Sequence, residues 1–437
     1  MAESTKNKQL DFLNHPSFAI TSKIKAHDVA VAKAEVANPQ TGTVNRIAIF
    51  LEEKIFKWFS HSIKHWLTKK TAFRNYKGKT HEGIYTLRNS TGENNKAIIA
   101  LTADWGTNTE EAANVANKML GHAPDYTIHL GDTYYTGEAD EIAENFTDTN
   151  APWKKGSVGS FAMVGNHEMY SNGAAFFDVL MPTMGAFDPA PGVNSFVQQN
   201  ASFFCLQSER WNIIALDTGY NSIGFPFLIN PYKECELEAE QVEWLKNLLR
   251  KDDKNRGIVF LSHHQYYSAY EDEYLKPAKQ LRDIIKDREV LWIFGHEHRL
   301  ALYGKYKCED GITAYGRCIG HGGMPVEILK TYDKEKKKKF AGLAASRNLV
   351  ITDKRLRFAV DDIPIGFNGY AILQVADPNI SITYFSTGYE STDAAAPLIT
   401  ETWTVDNQGI ISGTAQLHVT TPDFKPVANK TIANICQ

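Results

Sequence analysis

The chain has 437 residues, 43% of them hydrophobic and 22% charged, the make-up of a folded globular protein and neither a disordered nor a fibrous one. Its 47 basic residues fall short of its 51 acidic ones, a net charge of −4, which gives no electrostatic footprint for nucleic acid, so no nucleic-acid partner is expected. No run approaches the ~18 apolar residues of a transmembrane segment, and the opening MAESTKNKQLDF lacks the apolar core of a secretory signal, so the expected location is cytoplasmic.

Residues 1–92 read as an N-terminal extension. Short polar segments there surround one helical stretch, Ile47 to Leu67, in which Leu51, Ile55, Phe59, Ile63, Trp66 and Leu67 recur at helical intervals. Such a stripe packs on a neighbouring domain or lies on a membrane or partner helix, and packing is the expectation. The polar run RNSTGENNK at 88–96 sets the boundary, with a catalytic domain over 93–405 and a C-terminal β extension over 406–437.

From Ala97 apolar runs alternate with helical segments, the pattern of a layered α/β or α+β domain. Five runs end alike: AIIALTAD, YTIHLGD, FAMVGNH, GIVFLSH and VLWIFGH each place β-formers directly before Asp, Asn or His. Between the first two, Thr107 and Glu110 have capping-box spacing for a helix. The stretch Leu237 to Leu249 reads as a covering helix, KEKKKK at 334–339 as a solvated charged loop, and the segments after Tyr370 as antiparallel strands. Five widely spaced cysteines, without a CxxC pair, read as reduced thiols.

Ligand sites in open α/β sheets form beyond the carboxyl ends of strands, so these endings bring polar groups to one crevice. An Asp after a strand is more often a helix cap, and a buried His is more often merely hydrogen-bonded. Together, though, Asp104, Asp132, Asn166, His263, His296 and His298, with Tyr135 close by, make an N/O donor set without thiolate, suited to iron, manganese or zinc. Seven donors exceed the needs of one ion, and two ions sharing a carboxylate fit better.

The motifs DWG (104–106), GDTYY (131–135), GNHE (165–168), LSHH (261–264) and GHEH (295–298) resemble, in order and spacing, those of calcineurin-like metallophosphoesterases, and within them most those of purple acid phosphatases. The resemblance implies a four-layer α/β/β/α sandwich and metal-dependent hydrolysis of a phosphate ester, by hydroxide generated at a binuclear centre. It implies that Asp104, Tyr135 and His298 bind one metal, that Asn166, His263 and His296 bind the other, and that Asp132 bridges them. His167 then protonates the leaving group, with help from Glu168 or His264. A tyrosine ligand, with Gly106 where most relatives place His, points to Fe(III) paired with Fe(II), Zn(II) or Mn(II). The substrate expected is a phosphomonoester, on a small molecule or a phosphoprotein. A phosphodiesterase acting on cyclic nucleotides or lipid head groups is the alternative, and a non-catalytic metal-binding scaffold a remote one. His321, in the Gly-rich turn 319–325, stands between a pocket role and a structural one, and Asp217 reads as structural.

Overall fold

The computed structural model describes residues 69–187, 195–223, 234–252, 255–326, 328, 334–360, 363–387 and 395–437. The amphipathic stretch 47–67 lies outside them. Two large sheets face each other. One has eight strands in the order Ile84–Thr86, Phe204–Gln207, Trp211–Leu216, Gly257–Ser262, Glu289–Phe294, Thr313–Ile319, Leu300–Tyr306 and Leu349–Thr352. The other has nine, in the order Ile411–Leu417, Ala396–Val405, Asn379–Ser386, Gly369–Ala376, Lys96–Thr102, Tyr126–His129, Gly159–Ala162, Gly185–Phe187 and Phe196–Gln198. Each sheet is mixed. Lys96–Thr102, Tyr126–His129 and Gly159–Ala162 run parallel in one, and Trp211–Leu216, Gly257–Ser262, Glu289–Phe294 and Thr313–Ile319 in the other.

The central strands are uninterrupted apolar runs because both of their faces are buried. In Gly257–Ser262, Val259 and Leu261 enter the core between the sheets, whereas Ile258 and Phe260 face the outer helices. The same alternation sends Leu291 and Ile293 inward and Val290, Trp292 and Phe294 outward. Helices Ala239–Arg250 and Leu275–Ile285 cover the eight-stranded sheet through Leu245, Leu248, Ala278, Leu281 and Ile285. Helix Glu110–Leu120 covers the nine-stranded sheet with Ala112, Val115, Ala116 and Met119. The result is the four-layer α/β/β/α sandwich.

Across the inter-sheet core, Arg317 and Glu401, both fully buried, form a bidentate pair with two 2.7 Å bonds. Tyr384 and Trp403 donate to the same carboxylate, each at 2.8 Å, so this buried ion pair is hydrogen-bonded as such a pair must be.

Three readings of the sequence change here. The cap of helix Glu110–Leu120 is Thr109, whose hydroxyl accepts from the Ala112 N–H, and Thr107 instead shares a 2.8 Å bond with Thr109. KEKKKK is not a loop: it opens helix Lys334–Ser346, whose Phe340, Leu343 and Ala344 pack on the outer core. Ile84–Thr86, ahead of the expected boundary at 92, pairs with Phe204–Gln207 and is an edge strand of the eight-stranded sheet.

Candidate metal centre

The strands Lys96–Thr102, Tyr126–His129 and Gly159–Ala162 end beside Gly257–Ser262 and Glu289–Phe294 of the facing sheet, and the residues just beyond all five ends converge. The turns that achieve this are tight. Asp104, Asp132 and His296 have φ of 55°, 72° and 68°, in the left-handed region that non-glycine residues seldom occupy and that clusters at functional sites. Gly165 is required by close approach, since a Cβ there would stand 2.1 Å from Asp132 Oδ1.

Around Asp104 the donors are a carboxylate, a phenol and an imidazole. Asp104 is fully buried; its Oδ2 accepts from the His296 N–H at 2.8 Å, and its Oδ1 lies 3.6 Å from His298 Nε2. The phenol belongs to Tyr134. Its hydroxyl donates to Asp104 Oδ1 at 3.0 Å, and lies 3.2 Å from Asp132 Oδ2 and 2.9 Å from His298 Nε2. Tyr135, the tyrosine expected from the motif, instead gives its backbone N–H to Glu141 Oε1 at 2.7 Å and its carbonyl to His167 Nδ1 at 2.8 Å. The path of the loop, and not the motif spacing, sets which of the adjacent tyrosines reaches Asp104.

Asp132 joins this group to a second. Its Oδ2 is 3.2 Å from His263 Nε2, and the same nitrogen is 3.1 Å from Asn166 Oδ1. His263 is fully buried and its Nδ1 donates to the Leu130 carbonyl at 3.1 Å, which fixes the tautomer and aims Nε2 at the cluster. His296 lies with its ring centroid 5.3 Å from that of His263. His264 has ring neighbours His263, His296 and Tyr274.

These residues fit metal ions. Asp104, Asp132 and His263 each offer a donor atom within 4.8 Å of the others, and so do His263, His264 and His296. The electrostatics point the same way. Burial and the Asp104 and Asp132 carboxylates push the Tyr134 phenol well above its ordinary value, so its ionisation calls for a cation beside it. Burial alone would raise the Asp132 carboxyl, but His263, His167 and His296 hold it well below the usual range. The set is oxygen and nitrogen only, which suits hard and borderline ions.

His167 follows Asn166 at the start of the short helix Asn166–Met169. Its backbone N–H donates to Asp132 Oδ1 at 3.0 Å, and its Nε2 stands 3.8 Å from Asp132 Oδ2. A carbonyl only accepts, so Nδ1 carries the hydrogen toward Tyr135 O and leaves Nε2 facing the cluster. Glu168 does something other than assist it. Fully buried, its carboxylate accepts from the backbone N–H groups of Asp132, Thr133 and Gly165 at 3.2, 2.7 and 2.8 Å, clamping the two ligand loops together. Burial and the Asp132 charge push its carboxyl up to about 7.

The Gly-rich turn braces the same centre from behind. The N–H groups of Gly323 and Met324 both bond the Asp104 carbonyl at 3.0 Å, and a Cβ on Gly322 would stand 2.4 Å from the Ala103 carbonyl. His321 is buried there, its carbonyl accepting from the Gly369 N–H at 2.8 Å, so the turn holds Asp104 in place. Asp217 accepts from the Ser202 hydroxyl and from the Tyr220 N–H at 2.8 Å, inside the fold.

The calcineurin-like phosphoesterase family model matches residues 98–300. No curated protein matches the chain. Among solved structures, a purple acid phosphatase from yellow lupin (Lupinus luteus) seeds is 14% identical with a TM-score of 0.46, over 72% of this chain and 55% of that one. The chain thus spans little more than half the length of the lupin enzyme. The PhoD structure is 11% identical with a TM-score of 0.47, over 79% of this chain and 75% of that one. GAP50, described as the anchor in the inner membrane complex of Plasmodium, is 15% identical with a TM-score of 0.43, over 69% and 88%. The stretch matched by the calcineurin-like phosphoesterase model, residues 98–300, contains all five strand-end motifs.

Proposed function

We propose that the chain hydrolyses phosphate monoesters at a two-metal centre. Asp104, Tyr134 and His298 hold one ion, Asn166, His263 and His296 the other, and Asp132 lies between them. The Tyr134 phenol beside a carboxylate favours a trivalent first ion, iron, with a divalent partner. The observation that carries the reading is the convergence of Asp104, Asp132 and His263 donor atoms within 4.8 Å, with His167 Nε2 3.8 Å from Asp132 Oδ2.

Bound there, paired ions lower the pKa of coordinated water and neutralise phosphoryl oxygens, the two things that attack on an anionic ester requires. The rest falls to the chain. Asp132 and Asp104 supply anionic oxygens whose direction is fixed by amide and phenol donors. The Leu130 carbonyl keeps His263 in the tautomer that offers Nε2. Tyr135 O holds the Nδ1 hydrogen of His167, so Nε2 can carry a proton to the departing alkoxide. Glu168 sets the spacing of the Asp132 and Asn166 loops without touching substrate.

The test is a rate screen of the purified, metal-loaded protein against alkyl and aryl phosphomonoesters, phosphodiesters and phosphopeptides. Turnover of monoesters that is lost with chelator and restored by iron with zinc supports the reading. Turnover of diesters alone would replace it with a phosphodiesterase.

A further inference from the structure

The family resemblance uses one histidine from the fourth motif, but this chain has two in a row, and both are buried in the cluster: His263 at 0% and His264 at 2% exposure. His264 is not a bystander by orientation. Thr218 Oγ1 accepts from its backbone N–H at 3.0 Å and lies 3.2 Å from its Nδ1, which leaves Nε2 as the nitrogen that Thr218 does not engage. Its ring centroid is 4.8 Å from that of His263 and 4.6 Å from that of His296. One ring nitrogen from each of the three lies within 4.8 Å of the others. Ligands of one tetrahedral ion with metal–nitrogen distances near 2.0–2.1 Å are about 3.4 Å apart, so a contraction of about 1.4 Å at most would bring all three onto a single ion.

We infer that His264 is a third imidazole ligand of the second metal, and that it makes this site selective for a borderline divalent ion such as zinc over manganese or magnesium. Rich imidazole sets suit zinc and its neighbours, whereas manganese and magnesium favour oxygen. The hydroxyl of Thr218 then plays the orienting part that the Leu130 carbonyl plays for His263. The inference rests on the two-metal reading above but not on the identity of any substrate.

The experiment uses the full chain. Zinc alone is titrated into metal-free wild type, His264→Ala and His264→Gln against a competing chelator, then repeated in the presence of manganese, with circular dichroism and melting of each metal-free protein recorded first. Wild type should hold two zinc ions, and both variants should bind one of them at least about 10–100-fold more weakly, since losing even an outer-shell partner of a metal ligand costs that much. Their preference for zinc over manganese at that site should fall by at least tenfold, while zinc affinity at the other site is unchanged. Unchanged zinc affinity in folded variants overturns the inference, even where activity is lost, because His264 would then act on substrate. Should either variant fail to fold, wild type with cobalt(II) in the second site decides by NMR: a hyperfine-shifted imidazole N–H beyond those of His263, His296 and His298 supports the third ligand, and its absence overturns it. Wild type that holds fewer than two metals would instead sink the two-metal reading itself.

Discussion

The Tyr134 hydroxyl stands 2.9 Å from His298 Nε2 and 3.0 Å from Asp104 Oδ1, so the phenol that meets the Asp104–His298 pair comes from residue 134, and the two-metal proposal takes it in place of the neighbour that motif spacing singles out. Iron-loaded protein should therefore show a visible tyrosinate-to-iron band that Tyr134→Phe abolishes and Tyr135→Phe leaves in place. Absorption spectra of the two variants at equal iron content decide it. A band lost only in Tyr135→Phe would reverse the assignment.

The five strand ends were legible because their signal is physical: strands buried on both faces are continuous apolar runs, and a polar residue directly after each has nowhere to go but the crevice. Tyr134 was not legible, because neighbouring residues on a tightly turned loop differ only in direction. Glu168 misled for a related reason. A carboxylate next to His167 in the chain looks like its partner, yet helix geometry turns it back onto the amides of Asp132, Thr133 and Gly165. The helix Lys334–Ser346 was hidden by its run of like charges, which masks the packing of Phe340 and Leu343 further along.

His167→Ala tests the proton donor. The variant should retain its metals and lose on the order of 10²–10⁴ in rate on alkyl phosphates, whose leaving groups need a proton. Aryl phosphates with good leaving groups should lose much less. Steady-state rates on a leaving-group series provide the check, and an equal loss across the series would assign His167 to positioning.

Glu168 should matter to the fold before it matters to chemistry. Glu168→Ala leaves three backbone N–H groups without their acceptor, and a buried unsatisfied donor costs about 1–3 kcal/mol, so metal-free protein should lose on the order of 3 kcal/mol or more in urea unfolding. Glu168→Gln keeps an acceptor oxygen and should lose less. An unchanged unfolding midpoint for Glu168→Ala would show that the clamp is not needed.

Asp217 gives the pH dependence. Burial pushes its carboxyl up to about 6, against the opposing hydrogen bonds from Ser202 and Tyr220 and the Lys70 charge. The folded value lies above the unfolded one near 3.8, so the stability linked to its proton is present below about pH 4 and lost as pH rises through 6. Asp217→Asn cannot titrate. The melting temperature of wild type relative to Asp217→Asn should therefore fall between pH 4 and 6 and level off above, and a difference independent of pH would contradict the assignment.

Residues 69–92 belong to the folded domain. Ile84–Thr86 is paired into the eight-stranded sheet, Tyr76, Tyr85 and Leu87 are buried, and the Tyr76 hydroxyl donates to the Phe203 carbonyl at 2.8 Å. Further upstream, the Thr71 N–H donates to the Asn172 carbonyl at 3.1 Å and the Tyr220 hydroxyl to the Thr71 carbonyl at 2.8 Å, tying the segment to the loop that follows His167. A chain beginning at Glu93 loses all of this. Each of the buried apolar side chains is worth roughly 1.5–3 kcal/mol, and their sum rivals the 5–15 kcal/mol that holds a typical domain together. A chain beginning at Lys69 keeps them. Expressed side by side, the chain from Lys69 should remain soluble and melt well above the chain from Glu93, which should aggregate. Equal solubility and equal melting of the two would mean that residues 69–92 are dispensable to the fold.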